Sequence, residues 1–324
     1  MNVNLIKIRE CPFGSFCLFW GAEEKMSFES LLDEYNKIPG AKEAENMPIE
    51  DGQKNIINIA PFKKDQIETL KNTRLFRVMR KSHFLNWVSS GKNVIVSAEK
   101  WDDPWERALF KQCIRCNGED LYLSNFRYYG QCWSMNEKET DVIWRVFNAH
   151  DEDCVRVEVN AFDLWNSFTA YVNKISGVPG LSDIFCSCGI VRYLNENDTV
   201  NYLESSSIED LINTNSFVDT MYVKRDGFSH ENEFRIIYYP TDVSSIPGAN
   251  PSLVWPSNGL FAFDMDASLI RSVLFGPKIS SKYEDYLKHK DDFEEFKSSL
   301  EGSPIEKIER SALYDFPQLN IKFS

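Results

Sequence analysis

Histidine is scarce in this chain, four residues in 324. A glycine-rich phosphate loop, a GxGxxG fingerprint and an HExxH pair are all missing. Each absence removes a class of chemistry. The sequence offers no loop of the usual kind for cradling a nucleotide phosphate and no pair of helical histidines for a zinc hydrolase. It also leaves little for a cysteine–histidine or serine–histidine nucleophile, since Cys132 would need folding to bring His83, His150 or His230 beside it. No apolar run approaches the roughly 20 residues that span a bilayer, so no membrane partner is expected. The opening MNVNLIKIRECPFGSF has neither a long apolar core nor a small-residue cleavage site, so it does not read as a signal peptide. The eight cysteines are scattered through a chain large enough to fold by burial, which implies free thiols, a reducing compartment and a cytoplasmic location.

Positive charge is also in deficit. Lys plus Arg number 36 against 49 Asp plus Glu, a formal charge of −13 that opposes non-specific binding to DNA, RNA or an anionic membrane. The densest basic run is Lys71, Arg74, Arg77, Arg80 and Lys81, where any nucleic-acid contact would start. What is abundant is aromatic surface: 14% of residues, with 23 phenylalanines, a surplus that fits a sheet-containing core and a cleft walled by rings.

The pattern of periodicities predicts an α+β protein with a mixed, mostly antiparallel sheet core and flanking helices. Residues 1–70 read as an N-terminal strand, Val3 to Ile8, and a variable appendage packed on the core. Residues 71–324 read as the main α+β domain, including a C-terminal charged helix. No internal repeat and no linker divides them. Strands are expected at Leu75–Val78, Val94–Val96, Leu121–Leu123, 128–135, 154–159, 185–194, 231–239 and Glu306–Arg310. Helices are expected at Ser82–Ser89, at 137–147 with Val142, Ile143, Val146 and Phe147 inward, at 206–212, and at Lys282–Leu300. The alternation in CVRVEV predicts a half-buried strand, and the centre of the chain reads as less regular.

Four constellations could carry chemistry. In ENEFRIIYY, strand alternation puts Glu231, Glu233 and Arg235 on one face. Two carboxylates two residues apart repel, which can raise one into the proton-transfer range. They can also fix a ribose hydroxyl and stabilise positive charge developing on a sugar carbon. The same letters suit a solvated strand face. Around LFRVMR, Arg74, Arg77 and Arg80 offer guanidinium forks for a diphosphate. In WDDPWE, Asp102, Asp103 and Glu106 could hold a hard divalent cation or contact substrate, although helix capping ahead of Pro104 explains them without a metal. In QCWS, the Ser134 hydroxyl at a strand end could position a sugar. Cys113-x-x-Cys116 and Cys186-x-Cys188 together supply four thiolates, but a strand pair separated by one residue lacks zinc-knuckle spacing, so no metal site is expected.

Taken together, LFRVMR, VIVSAEKWDDPWE, YGQCWSM, ETDVIWRVFNAH, CVRVEV, HENEFRIIYY and LIRSVLFGPKIS, in that order from about Leu75 to Ser280, resemble the bacterial and phage family described as domain of unknown function 2971. The chain departs from that pattern at Phe76, at Asp102 and at Val146-Phe147. The order of a strand arginine, a strand-end serine and an acidic E-x-E strand is similar to that of ADP-ribosyltransferases, and this likeness implies an ADP-ribosyltransferase-like fold with NAD as substrate. On it, Arg77 grips the nicotinamide-side phosphate or ribose. Ser134, or else Ser97, orients the sugar, Glu233 holds the ribose 2′-hydroxyl, Glu231 activates the acceptor, and Trp133 or Tyr129 stacks on nicotinamide. Asp102, Asp103 and Arg235 fall to the substrate contacts. The implied partners are a small nucleotide, a protein or nucleic-acid acceptor, and a partner protein of a bacterial defence or toxin system. Two other readings stay open: a non-catalytic binding or sensor module of such a system, and a divalent-metal nuclease or hydrolase using Asp102, Asp103, Glu231 and Glu233.

Overall fold

A computed structural model describes residues 64–101, 103–107, 113–116, 119–122, 128–147, 153–176, 186–205, 218, 220–239, 259–278 and 283–315. Almost all of the expected appendage, Asp102 and the helix expected at 206–212 lie outside these residues. In chain order the described elements are α1 (Lys64–Asn72), β1 (Arg74–Arg80), α2 (Lys81–Ser90), β2 (Lys92–Ser97), β3 (Cys113–Cys116), β4 (Glu119–Tyr122), β5 (Tyr129–Ser134), α3 (Asp141–Phe147), β6 (Cys154–Asn160), α4 (Ala161–Ser176), β7 (Cys186–Ile190), β8 (Arg192–Leu194), α5 (Glu196–Ser205), β9 (Val223–Arg225), β10 (Glu233–Tyr238), β11 (Leu260–Asp264), β12 (Ile270–Phe275), α6 (Tyr283–Ser299) and β13 (Lys307–Arg310). This is the expected α+β composition, and its strand pairs are mostly antiparallel. β12–β13 and β8–β9 are parallel.

Two compact units alternate along the chain. The first comprises Met1–Thr69, Val94–Trp133 and Trp165–Phe263; the second comprises Leu70–Asn93, Ser134–Leu164 and Asp264–Ser324.

In the second unit β6 lies between β1 and β12, antiparallel to both. Val155, Val157 and Val159 of β6 are fully buried. On β12, Phe275 stacks on His289 and tilts against Phe296, both at 5.0 Å, which seats the buried side of the long charged helix α6. The half-buried strand expected at CVRVEV is closed on both faces: Cys154 and Arg156 of the other row are buried too. Trp144 of α3 packs with Val78 and Cys154 on that side. The ring takes the inward sector of this short helix because it has the most apolar surface to hide. Val142 and Val146, two positions either side of it and therefore on the opposite helical row, are 50% and 58% exposed rather than inward.

The first unit is built on rings. Phe168 of α4 meets Tyr238, Phe261 and Phe263 edge-on at 5.2–6.3 Å, and Tyr129 of β5 packs against Tyr238 and Phe261. α4 is a regular helix in a stretch the pattern leaves irregular; Leu164, Phe168 and Val172, all buried, follow an i, i+4, i+8 row. β10 pairs antiparallel with β7 from Phe234↔Ile190 to Tyr238↔Cys186. The strand expected at 185–194 is two strands separated by Val191, whose N–H donates to Glu233 O. Freed from β7, the chain pairs anew as β8 with β9, Tyr193 opposite Lys224.

Candidate active site

The acidic segment does not run as one strand. A 3₁₀ helix spans Asp226–Glu231, Asn232 takes a left-handed conformation at φ 45°, and only then does β10 begin at Glu233. Asparagine tolerates that backbone better than most residues do. Glu231 therefore leaves the strand face it was expected to share, while Glu233 and Arg235 keep theirs. The two glutamates still meet, because Lys224 on β9 gathers both: its Nζ donates to Glu231 Oε2 at 2.5 Å and to Glu233 Oε1 at 3.0 Å. Opposite Lys224, the Tyr193 hydroxyl accepts the N–H of Glu233 at 2.9 Å.

Arg235 is completely buried. Its Nε donates to Glu233 Oε2 and its Nη1 to Met221 O, both at 2.6 Å, and its Nη2 donates to Glu106. The ring of Trp101 covers the guanidinium at 4.7 Å. Gly130 makes that position available: a Cβ there would come within 2.5 Å of the Trp101 ring and 2.9 Å of Ile237. A buried guanidinium is tolerable only with its donors satisfied, and here an aromatic face closes the remaining side.

Charge within this cluster nearly cancels. Glu106 and Glu233 balance Lys224 and Arg235, which leaves Glu231 as the surplus carboxyl. Burial, then the hydrogen bond to Glu233 and the charge of that carboxylate, push Glu231 up to about 8 against the pull of Lys224. Burial alone would raise Glu233 as well, but Arg235, the hydrogen bond from Glu231 and Lys224 outweigh it and hold Glu233 far below the usual carboxylate range. Glu233 is 6% exposed, whereas the Glu231 side chain is 29% exposed. The pair thus consists of one permanently charged inner carboxylate and one outer carboxyl that can exchange a proton with solvent.

Asp103 caps the Pro104–Arg107 turn as expected, its Oδ1 accepting the N–H of Trp105 at 3.0 Å. The same oxygen accepts from Arg225 Nη2 at 3.1 Å, an ion pair the sequence pattern does not announce. Among the described residues no group of three or more histidine, cysteine or acidic side chains is arranged to hold a metal ion. Glu106 and Glu233 spend their charge on Lys224 and Arg235 instead. Burial and the charge of Glu233 raise the Cys132 thiol well above its ordinary range, which does not suit a thiolate nucleophile.

The other expected residues divide between core and second unit. Tyr129 and Trp133 are each 1% exposed; Tyr129 lies among Tyr238 and Phe261, and Trp133 Nε1 donates to Gln131. Neither presents a ring face to a nicotinamide. Ser97 is buried and caps the 3₁₀ turn after β2, accepting from the N–H of Glu99. Arg77 and Ser134 belong to the second unit. There Ser134 pairs with Phe76, so it shares the face of Phe76, and Arg77, the next residue, projects from the opposite face. Ser134 Oγ accepts from the N–H of Asn136, a turn contact. Arg74 pairs with Glu158 and Glu137, and Lys81 with Asp153, so much of the basic run serves local ion pairs.

Four members of the cluster are not apparent from residue pattern: Lys224, Arg225, Tyr193 and Glu106 in its role as an arginine partner. Lys224 had one signal, a lysine set between the apolar MYV and the acidic segment that needs it. No protein-family model matches the chain, and no curated protein is significantly similar to it.

Proposed function

We propose that this chain is an enzyme of glycosyl transfer from a nucleotide, ADP-ribosyl transfer or NAD glycohydrolysis, with Glu231 as its proton-transferring group. The observation that supports this reading is the divergence of two adjacent carboxyls, Glu233 held charged by Lys224 and Arg235, Glu231 raised to about 8 at the edge of solvent. Environments that push neighbouring titratable groups apart mark acid–base assignments, and a group titrating near working pH transfers protons well in both directions.

In this scheme the C1′–N bond of NAD breaks with its electron pair leaving on nicotinamide. Positive charge develops on the ribose carbon, and the fixed charge of Glu233 favours it. Glu231 takes the proton of the incoming water or acceptor hydroxyl as the new bond forms. Because both Glu233 oxygens already accept hydrogen bonds from Lys224 and Arg235, Glu233 acts through its field rather than by gripping a sugar hydroxyl. The role implied for Arg77 finds no support in its placement on the face opposite Ser134.

The test is nicotinamide release from NAD by the full chain, measured against pH and in Glu231→Gln. The expected rate rises through an apparent pKa of about 8 and is lost in the variant. An unchanged rate and profile in Glu231→Gln would remove the assignment. Carboxylate-independent capture of a nucleotide without turnover would favour the binding-module reading instead.

A further inference from the structure

The β8–β9 ribbon has two faces. Tyr193 and Lys224, paired across it, turn toward the glutamates. The alternate positions put Arg192 (opposite Val223) and Arg225 (opposite Leu194) together on the other face, two residues apart along the ribbon.

Arg192 is unusual for a half-buried cation in a chain with a surplus of acid. Its side chain has no hydrogen bond or ion pair to a described residue, its Nε is buried without an acceptor among them, and its guanidinium lies over the ring of Tyr202 at 4.9 Å. The Arg225 guanidinium lies near the rings of Trp105, at 5.0 Å, and Phe228, at 5.4 Å, and is paired with Asp103. Its Nε also lacks a partner among the described residues. Its Nη1 meets Glu196 at 3.6 Å, whose side chain is 69% exposed. Two guanidiniums set against aromatic rings, one with no counter-charge among the described residues and one facing an exposed carboxylate, are the elements of an anion site.

We infer that Arg192 and Arg225 bind the diphosphate of a nucleotide, with Glu196 as a displaceable stand-in for it. That the nucleotide is the glycosyl donor rests on the function proposed above; the anion site does not. The planar forks of two arginines match phosphate oxygens two at a time, and the rings that position them favour a ligand carrying a flat base.

The experiment is calorimetric titration of the full chain with ADP. ADP should bind and weaken as salt rises; Arg192→Ala should bind about tenfold or more weakly. Because Arg192 has no ion pair among the described residues and only the Tyr202 ring contact to lose, that variant should stay close to the parent in thermal stability, so lost binding is not lost folding. Glu196→Gln should tighten ADP about twofold to threefold by removing the competing carboxylate. Glu231→Gln should bind ADP as the parent does. No ADP binding at millimolar concentration, ADP binding indifferent to Arg192→Ala, or binding of a single-stranded oligonucleotide in place of ADP would each overturn the inference. If ADP binds as described but NAD is never consumed, the anion site stands and the glycosyl-transfer reading falls. If NAD is consumed with unchanged KM in Arg192→Ala, the reverse holds.

Discussion

Glu231→Gln should make the protein more stable at neutral pH while removing its proposed activity. A carboxyl raised from its ordinary 4.5 to about 8 on folding binds its proton more tightly in the folded chain. Its stabilising contribution is complete below 4.5, declines as pH rises, and is gone above about 8. Glutamine imitates the protonated form and does not titrate. The two proteins should therefore be equally stable near pH 4, and the variant should lead increasingly as pH rises. For a fully sequestered group the lead would grow by about 1.4 kcal/mol per pH unit, or roughly 3 kcal/mol by pH 7. The Glu231 side chain is 29% exposed, so solvent screening reduces this to an expected value of about 1–2 kcal/mol. Urea unfolding of both proteins at pH 4.5, 6, 7 and 8.5 measures it. Glu233→Gln is the necessary contrast. It leaves Lys224 and Arg235 facing a neutral amide in a buried site and should cost about 3–5 kcal/mol at pH 7. If Glu231→Gln destabilises the chain at pH 7 as Glu233→Gln does, the charge balance argued for the cluster is wrong.

Three other perturbations follow from the same structure. Gly130→Ala forces a methyl into the Trp101 ring and Ile237, and should cost about 1–3 kcal/mol in chemical denaturation, with a change in tryptophan fluorescence; parental stability would show that the ring has another seat. Arg235→Lys cannot reach Glu233, Glu106 and Met221 O together and should lower the urea midpoint, whereas a conservative outcome would mean the fork geometry is unimportant. His289, 2% exposed and stacked on Phe275, is depressed by burial, so the stability it allows is present above its ordinary 6.5 and falls as pH drops below that value; His289→Phe should flatten the stability profile between pH 6.5 and 5, and an unaltered acid limb would assign the loss to other groups.

Elements with strong local periodicity are legible in the sequence. β1, α2, β6, α6 and β13 lie within a few residues of where the apolar pattern puts them, because burial of apolar rows dictates both pattern and structure. What misleads is competition among apolar residues and chain geometry with no side-chain signature. Trp144 wins the inward sector of α3 from Val142 and Val146, a contest that depends on ring size rather than spacing. The left-handed Asn232 interrupts an apparently continuous strand and moves Glu231 off its face. For the site, the sequence points to Glu231, Glu233 and Arg235, since a charged triplet entering an apolar strand has to be neutralised somewhere. It does not point to Lys224 or Glu106, 7 and 129 residues from their partners, because such pairings exist only after folding. Tyr129, Trp133 and Ser97 carried plausible chemistry in their letters but serve the interior.

A ribbon only three residues long on each strand assigns unrelated duties to odd and even positions. On the proposed reading, exchanges at 192 and 225 can drift, changing which phosphate ester is preferred, without replacing the residues at 193 and 224 that surround the glutamates. A single-residue insertion in either strand would transpose both sets at once. If the proposed roles hold, divergent descendants should vary in ligand choice by substitution, and lose reaction and ligand together by insertion.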